Sequence, residues 1–391
     1  MKKILSLVVA AAMTAAMFTG CGAKAPAAEA TAGSTAAEGT TIKVGNSGPL
    51  TNDYAMYGKA VEYGLKLAFE EINAKGGLQF EVRVEDDEGD SEMAVNAYNT
   101  LMDWGMDIMA GTTTSGCAAA DAALCAEDRV FMMTPSASDA SVIEAGDNVF
   151  QICFTDPNQG VGSADYISDH QLGSKIGIIY DNSNPYSVGI RDKFTAEAKA
   201  KGLEIVAEES YTSDNKADLS TQVTKCQAAG ADLVFLPIYS VEAAQVLTYA
   251  DKIGYEPAFF GCDGLDGILA VEGFNPELAE GVMLLTPFDA SSSDENVQAF
   301  VKNYTEKFGV APNQFAADAY DVAYALYQAC TDAGVTPDMT HEEICDALVK
   351  QVTSMTFDGL TGENMTWGAD GAVSKMPKAV EVQDGVYVTA K

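Results

Sequence analysis

Short apolar runs alternate along the chain with longer segments whose apolar residues recur every three or four positions. Thr41-Ile42-Lys43-Val44-Gly45 reads as a strand, and over 57–74 Val61, Leu65, Phe69 and Ile72 share one helical face, ended by Gly76-Gly77. Strands are expected next at 80–84, 107–110 and 130–133, with a helix at 93–104. A second series has strands at 175–180, 203–208, 233–236 and 258–260, separated by helices at 187–201, 219–229 and 241–253. Leu233-Val234-Phe235-Leu236 is apolar throughout, the mark of a strand covered on both faces. Two such series predict an α/β protein with two doubly wound domains of mostly parallel sheet. In such sheets ligands bind beyond the carboxyl ends of the strands, where loops open into helices.

The first forty residues follow a different pattern. Lys2 and Lys3 precede an apolar run over 4–18, short for a membrane span and suited to the core of a signal peptide over 1–20. Phe18-Thr19-Gly20-Cys21 then resembles a bacterial lipobox, with Phe18 where Leu is the usual residue. That resemblance implies lipidation of Cys21, and stable anchoring takes two or more acyl chains. The segment 21–40 is rich in Ala, Thr, Gly, Glu and Pro and poor in large apolar residues, so it is expected to be a flexible tether. Together these features put the folded part on the extracellular face of the cytoplasmic membrane, or in the periplasm.

Composition narrows the chemistry. With 391 residues, 47% of them hydrophobic and 20% charged, the chain is long enough for two globular domains. Its formal charge is −34, and becomes −36 once Lys2 and Lys3 leave with the signal peptide. Such a surface repels nucleic acid and favours solubility, but it does not set the sign of a bound ligand. Apart from Cys21, the cysteines are Cys117, Cys125, Cys153, Cys226, Cys262, Cys330 and Cys345, an odd number without a CxxC spacing. Cys117 and Cys125 lie on one expected helix, roughly 12 Å apart at its rise per residue, which is too far for a disulfide. These cysteines read as small buried apolar residues. The two histidines, His170 and His341, are far apart in the chain and sit in polar, surface-like segments, which argues against zinc.

Catalytic motifs are missing from the chain. It contains no Walker loop, no GxGxxG after the first strand, where Gly45-Asn46-Ser47-Gly48-Pro49-Leu50 stands instead, and no GxSxG elbow. Acidic pairs such as Asp86-Asp87 and Glu342-Glu343 carry little information in so acidic a chain. Binding without chemistry is the remaining expectation: not an enzyme, with no cofactor and no metal. The stretch "GTTTSGCAAAD" (111–121) lies at a strand-to-helix junction. Ser115 there either caps the helix or offers a hydroxyl and N–H groups to an anion. Thr112, Thr113 and Thr114 read as loop hydroxyls that satisfy the backbone.

The segments "GPLTNDYAMYGKAVEYGLKLAFEEINAKGG" (48–77), "RVEDDEGDSEMAVNAYNTLM" (83–102) and "MTPSASDASVIE" (133–144) resemble the leucine/isoleucine/valine-type substrate-binding proteins of ABC transporters. So do "IIYDNSNPYSVGIRDKF" (178–194), "ADLVFLPIYSVEAAQVLTYADKIGY" (231–255), "FFGCDGLDG" (259–267), "DAYDVAYALYQA" (318–329) and "FDGLTGENMTWGADGAV" (357–373), in the same order. The resemblance implies the type I periplasmic-binding-protein fold: two Rossmann-like lobes joined by a hinge of three crossings, with the ligand in the inter-lobe cleft. Lobe 1 would comprise 41–156 plus 287–375, and lobe 2 157–286 plus 376–391. The implied partners are a small-molecule ligand, an amino acid by this resemblance, and permease and ATPase subunits as separate chains; the binding protein itself would be a monomer.

The same resemblance assigns roles in the cleft. The hydroxyl and N–H of Ser115 would meet the ligand's α-carboxylate, while the backbone of Ser136 and the hydroxyl of Ser138 would meet its carboxylate and ammonium. Asp263 stands where the leucine binders carry Glu and would pair with the ammonium. Tyr57, Tyr186 and Tyr239 would surround the ligand side chain, with Phe315 a weaker candidate; Tyr320-Asp321, at helical spacing with Tyr324, reads as structural. Two departures touch the site: Glu88-Gly89-Asp90 replaces the first half of a disulfide common in those proteins, and Pro185 adds a residue before Tyr186. The rival expectations are the same fold binding an amide, nucleoside or aromatic acid, a sensory partner of a membrane receptor, and a secreted hydrolase.

Overall fold

The computed structural model describes residues 41–390; the expected signal peptide, the expected tether and Cys21 lie outside the described residues. Five strands and their helices come first: β1 (Thr41–Gly48), α1 (Ala55–Ala74), β2 (Gln79–Asp86), α2 (Ser91–Trp104), β3 (Ile108–Met109), α3 (Ser115–Asp128), β4 (Phe131–Thr134), α4 (Ala140–Ile143) and β5 (Val149–Gln151). They make a parallel sheet in the order β2-β1-β3-β4-β5. The second series is α5 (Asp156–Asp169), β6 (Lys175–Asp181), α6 (Pro185–Lys201), β7 (Glu204–Tyr211), α7 (Ser220–Ala228), β8 (Leu233–Leu236), α8 (Ser240–Lys252), β9 (Ala258–Gly261) and β10 (Met283–Thr286). Then come α9 (Glu295–Phe308), α10 (Gln314–Ala333), α11 (His341–Val352), β11 (Lys378–Gln383) and β12 (Val386–Thr389). The second sheet has seven strands in the order β12-β11-β10-β9-β8-β6-β7, parallel except where β11 runs against both of its neighbours.

The α/β architecture with two largely parallel sheets is the one the periodicity predicts. The apolar stripe of α1, with Val61, Leu65, Phe69 and Ile72 buried, packs against Ala316, Ala319, Val322 and Ala323 of α10 in one core with β1. The chain passes between the two sheets three times: after β5, after β10, and before β11. The third passage is held by Lys375, whose Nζ is 2.5 Å from Asp318 Oδ1 on α10, with side chains only 1% and 3% exposed. Trp367 Nε1–H donates to the Gln151 carbonyl at 2.9 Å and fastens the preceding segment to the end of β5.

Local chemistry explains where elements begin. Asp90 caps α2 by accepting from Glu92 N–H and Met93 N–H, and Glu88 and Gly89 take positive φ of 53° and 72° just before it. The stretch that departs from the disulfide pattern is therefore a tight turn and a helix cap. Pro185 is the first residue of α6, where its missing N–H costs no hydrogen bond, and Asn184 caps the helix through Tyr186 N–H at 3.1 Å. All seven cysteines in the described residues are buried and unpaired. His170 is exposed and stacked on Tyr166 at 4.0 Å between ring centroids. His341 is half-buried rather than fully exposed, with Nε2 3.1 Å from the Asp128 carbonyl oxygen.

Candidate functional site

A cavity between the two sheets is lined by Tyr57, Thr113, Thr114, Ser115 and Ser136 on the five-stranded side and by Tyr186, Tyr239, Asp263 and Gly264 on the other; Phe315 of α10 completes the wall. Most of these residues lie just past carboxyl ends of strands. Thr113–Ser115 follow β3, Ser136 follows β4, and Asp263 follows β9, while Tyr239 caps α8 after β8. This is where a doubly wound sheet opens into loops.

The first turn of α3 supplies one pole. Its N-cap, Thr114, makes no side-chain cap hydrogen bond. Ser115 is the first helical residue, and its Oγ accepts from Asp139 N–H at 3.3 Å, so it does not cap its own helix. The hydroxyl proton of Ser115 and the first-turn N–H groups are thus directed to uses outside the helix, where the helix dipole favours an anion. Ser136 Oγ donates to the Thr113 carbonyl at 2.7 Å and locks the two loops together.

Asp263 supplies the other pole. It is 5% exposed and has no ion-pair partner among the described residues. Tyr186 donates its phenol proton to Asp263 Oδ1 at 2.8 Å, and Asp263 N–H donates to Gln159 Oε1 at 3.0 Å. Burial pushes its carboxyl up to about 7 against the opposing hydrogen bonds from Tyr186 and Gln159. Asp266, three residues on, is likewise raised by burial to about 7, and it accepts Gln314 N–H at 2.8 Å. A cation brought to Asp263 therefore meets a carboxylate that the protein itself leaves without a counter-charge.

Between the poles stand aromatic rings. Tyr239 is stacked on Tyr186 at 5.0 Å and 10°, lies 5.4 Å from Tyr57, and Phe315 meets Tyr57 edge-on at 4.8 Å. Two phenols are spent on the protein. Tyr57 donates to the Gly264 carbonyl at 2.7 Å and accepts from Ser240 N–H at 2.8 Å, and Tyr186 bonds Asp263 and Gly264 N–H. Those side chains offer ring surface to whatever lies between the poles.

Of the residues singled out in the sequence, Ser115, Ser136, Asp263, Tyr57, Tyr186 and Tyr239 come together at this cavity, with Phe315. Ser138 does not line it. It is buried beside Asp156, whose N–H donates to the Ser138 carbonyl at 2.9 Å. The expectation for Thr112 fails: its hydroxyl donates to the buried carboxylate of Asp121 at 2.5 Å rather than to the backbone. Thr113 lines the cavity with a buried hydroxyl that has no hydrogen-bond partner among the described residues. Tyr320 and Asp321 are structural, as expected: Asp321 accepts Leu360 N–H and Thr361 N–H, and the Tyr320 hydroxyl donates to Glu71. Three contributors were not singled out. Gln159 links Asp263 to Asp156, Gln314 reaches the Asp263 carbonyl at 2.9 Å from the other side of the cleft, and Gly264 leaves room for Tyr186. The one signal for Gln314 was a polar residue at the start of the helix, beside Phe315.

A cleft between two parallel-sheet lobes, poled by a helix start and a buried carboxylate, with neither His170 nor His341 on its wall, defines a two-lobed solute-binding protein. The chain belongs to the periplasmic binding protein family, whose pattern it matches over residues 41–385. It is 29% identical over 319 residues to the Leu/Ile/Val-binding protein homolog 3 of Brucella melitensis, covering 79% of this chain and 84% of that one. It is 27% identical over 301 residues to Leu/Ile/Val-binding protein BraC3 of Rhizobium johnstonii, covering 76% and 81%. Among solved structures, the branched-chain amino acid transporter substrate-binding protein LivJ of Streptococcus pneumoniae, in complex with isoleucine, superposes with a TM-score of 0.81 at 27% identity, over 90% of this chain and 99% of that one. A solute-binding protein of an R. palustris ABC transporter, in complex with benzoate, shares the fold with a TM-score of 0.79 at 21% identity, over 89% and 95%.

Proposed function

We propose that this protein is the lipid-anchored receptor of an ABC importer, capturing an α-amino acid with an apolar side chain and delivering it to a separate permease. The observation that carries this reading is the bipolar cavity. Ser115 and the uncapped start of α3 suit an α-carboxylate, and Asp263 suits an α-ammonium. Tyr57, Tyr186, Tyr239 and Phe315 suit an apolar side chain between them. The isoleucine complex of the LivJ relative supports the same ligand class. The lobes would close about the three passages between the sheets, and the permease would read the closed form. Cys21 would hold the receptor at the outer face of the membrane through its acyl chains. No bond is made or broken in this cycle.

A thermal-shift screen of the twenty amino acids, followed by calorimetry, tests the reading: branched-chain or aromatic amino acids are expected to raise Tm, since a tight ligand stabilises the folded state. A second reading, an aromatic acid, is favoured by the ring-lined wall and by the benzoate-bound neighbour. It leaves Asp263 without a partner. Benzoate binding that survives Asp263→Asn, with no amino acid binding to either form, would establish it instead.

A further inference from the structure

Lys216 lies in the segment between β7 and α7, on the seven-stranded side of the cleft. Its Nζ is 3.1 Å from Glu242 Oε1 on α8 of the same side, and the Glu242 side chain is 1% exposed. From the opposite side, Tyr54 at the start of α1 brings its phenol oxygen to 3.0 Å from Lys216 Nζ and donates to Glu242 Oε1 at 3.3 Å. The Lys216 ammonium also lies 4.3 Å from the Tyr54 ring centroid, and Asp53 Oδ2 is 3.2 Å from Nζ. Lys216 is the one cation paired with Glu242 among the described residues.

Two features separate this cluster from an ordinary surface ion pair. First, the Lys216–Glu242 pair needs only one half of the molecule, so it persists when the halves part, whereas every contact to Asp53 and Tyr54 is lost. Second, the Tyr54 ring meets Tyr239 edge-on at 5.0 Å and 65°, and Tyr239 lines the ligand cavity. The cluster is thus mechanically continuous with the cavity wall without being part of it.

We infer that Lys216 and Glu242 form a preset socket for Tyr54, and that seating Tyr54 in it latches the two halves shut around the cavity. The latch rests on the reading of the protein as a receptor that closes. Its strength comes from the hydrogen bonds of a phenol to a half-buried ammonium and a buried carboxylate, which are stronger than neutral ones. The exposed Asp53 adds little, as surface pairs do. The ring keeps part of the attraction through its face even without the hydroxyl.

The test is the closed-to-open ratio of the full-length protein, read by energy transfer between dyes on cysteines introduced at the exposed positions Asn96 and Gln227. Tyr54→Phe, which keeps the ring, and Lys216→Met are both expected to lower that ratio, the second by about tenfold, a step of 1.4 kcal/mol. Lys216→Arg is expected to restore most of it. With L-isoleucine as probe, both disruptive variants should speed dissociation and leave association nearly unchanged. If Lys216→Met perturbs folding by stranding Glu242, Tyr54→Phe carries the test alone. Ratios equal to wild type in Tyr54→Phe would overturn the latch. A lowered ratio in a protein that binds no amino acid would keep the latch and remove the ligand assignment.

Discussion

The phenol oxygen of Tyr186 sits 2.8 Å from Asp263 Oδ1 and 2.9 Å from the Gly264 nitrogen, so one hydroxyl fixes both the acidic pole of the cavity and the turn that carries it. Tyr186→Phe is expected to weaken amino acid binding about tenfold, since a hydrogen bond to a charged group contributes roughly 1.5–3 kcal/mol. Losing that donor also removes a contact that lowers the Asp263 pKa. The pH midpoint of binding should therefore move upward in the variant, which titration calorimetry at several pH values would reveal.

Asp263 itself sets the pH dependence. Burial holds its carboxyl at about 7, so below that pH the ligand-free protein carries a proton there that an incoming ammonium must displace. Affinity should rise with pH up to about 7 and level off above it, with net proton release on binding at pH 6 measured in buffers of different ionisation enthalpy. Asp263→Ala should cost at least tenfold in affinity and abolish that proton release. For folding the sign is opposite. A carboxyl raised from near 4 to about 7 contributes stability at low pH that is lost as pH climbs through 7, so ligand-free Asp263→Asn should lose less stability between pH 5 and pH 8 than wild type does.

Gly264 leaves no room for a side chain. A Cβ there would lie 2.6 Å from the Tyr186 hydroxyl and 2.8 Å from the Ile238 carbonyl oxygen. Gly264→Ala is expected to push Tyr186 off Asp263, to reduce affinity more than Tyr186→Phe does, and to lower Tm as the Ile238 backbone is forced to shift. Equal affinity in wild type and Gly264→Ala would show that the Tyr186–Asp263 contact is not needed for binding.

Lys375 and Asp318 form a buried ion pair at the third passage between the sheets. Removing one partner strands the other, which costs about 3–5 kcal/mol, whereas replacing both with apolar residues is often close to neutral. Lys375→Met should lower the denaturation midpoint strongly, and Lys375→Met combined with Asp318→Leu should recover much of it. Chemical denaturation of the three proteins side by side measures the difference.

Elements with many apolar residues at fixed spacing were legible from sequence. α1 and β8 lie where Val61, Leu65, Phe69 and Ile72, and Leu233-Val234-Phe235-Leu236, put them. β3 is shorter than its apolar run, covering only Ile108–Met109, although Asp107 N–H and Ala110 N–H still donate to the Lys43 and Gly45 carbonyls of β1 at 2.8 Å. The region after β10 was harder. Its 357–373 segment holds only isolated bridges, Phe357 to Met365 and Trp367 to Val373, and such short pairings leave no periodicity to read. In the cleft, the residues found first were those at strand ends. Gln159 and Gln314 escaped because their roles depend on hydrogen bonds to Asp263 from distant parts of the chain, 104 and 51 positions away. Ser138 follows the same strand end as Ser136 but is not on the cavity wall, because the chain there turns so that its carbonyl meets Asp156 N–H.

The five-stranded sheet takes part of its cover from α10 and α11, which are encoded after the whole of the second sheet's parallel core. During synthesis, Ile42, Val44, Leu65 and Phe69 emerge long before the helices that shield them. The N-terminal half alone is therefore expected to leave that face of its sheet uncovered until α10 and α11 have been made. Shielding that depends on contacts between such distant parts of the chain makes compaction of the first sheet a late and slow event.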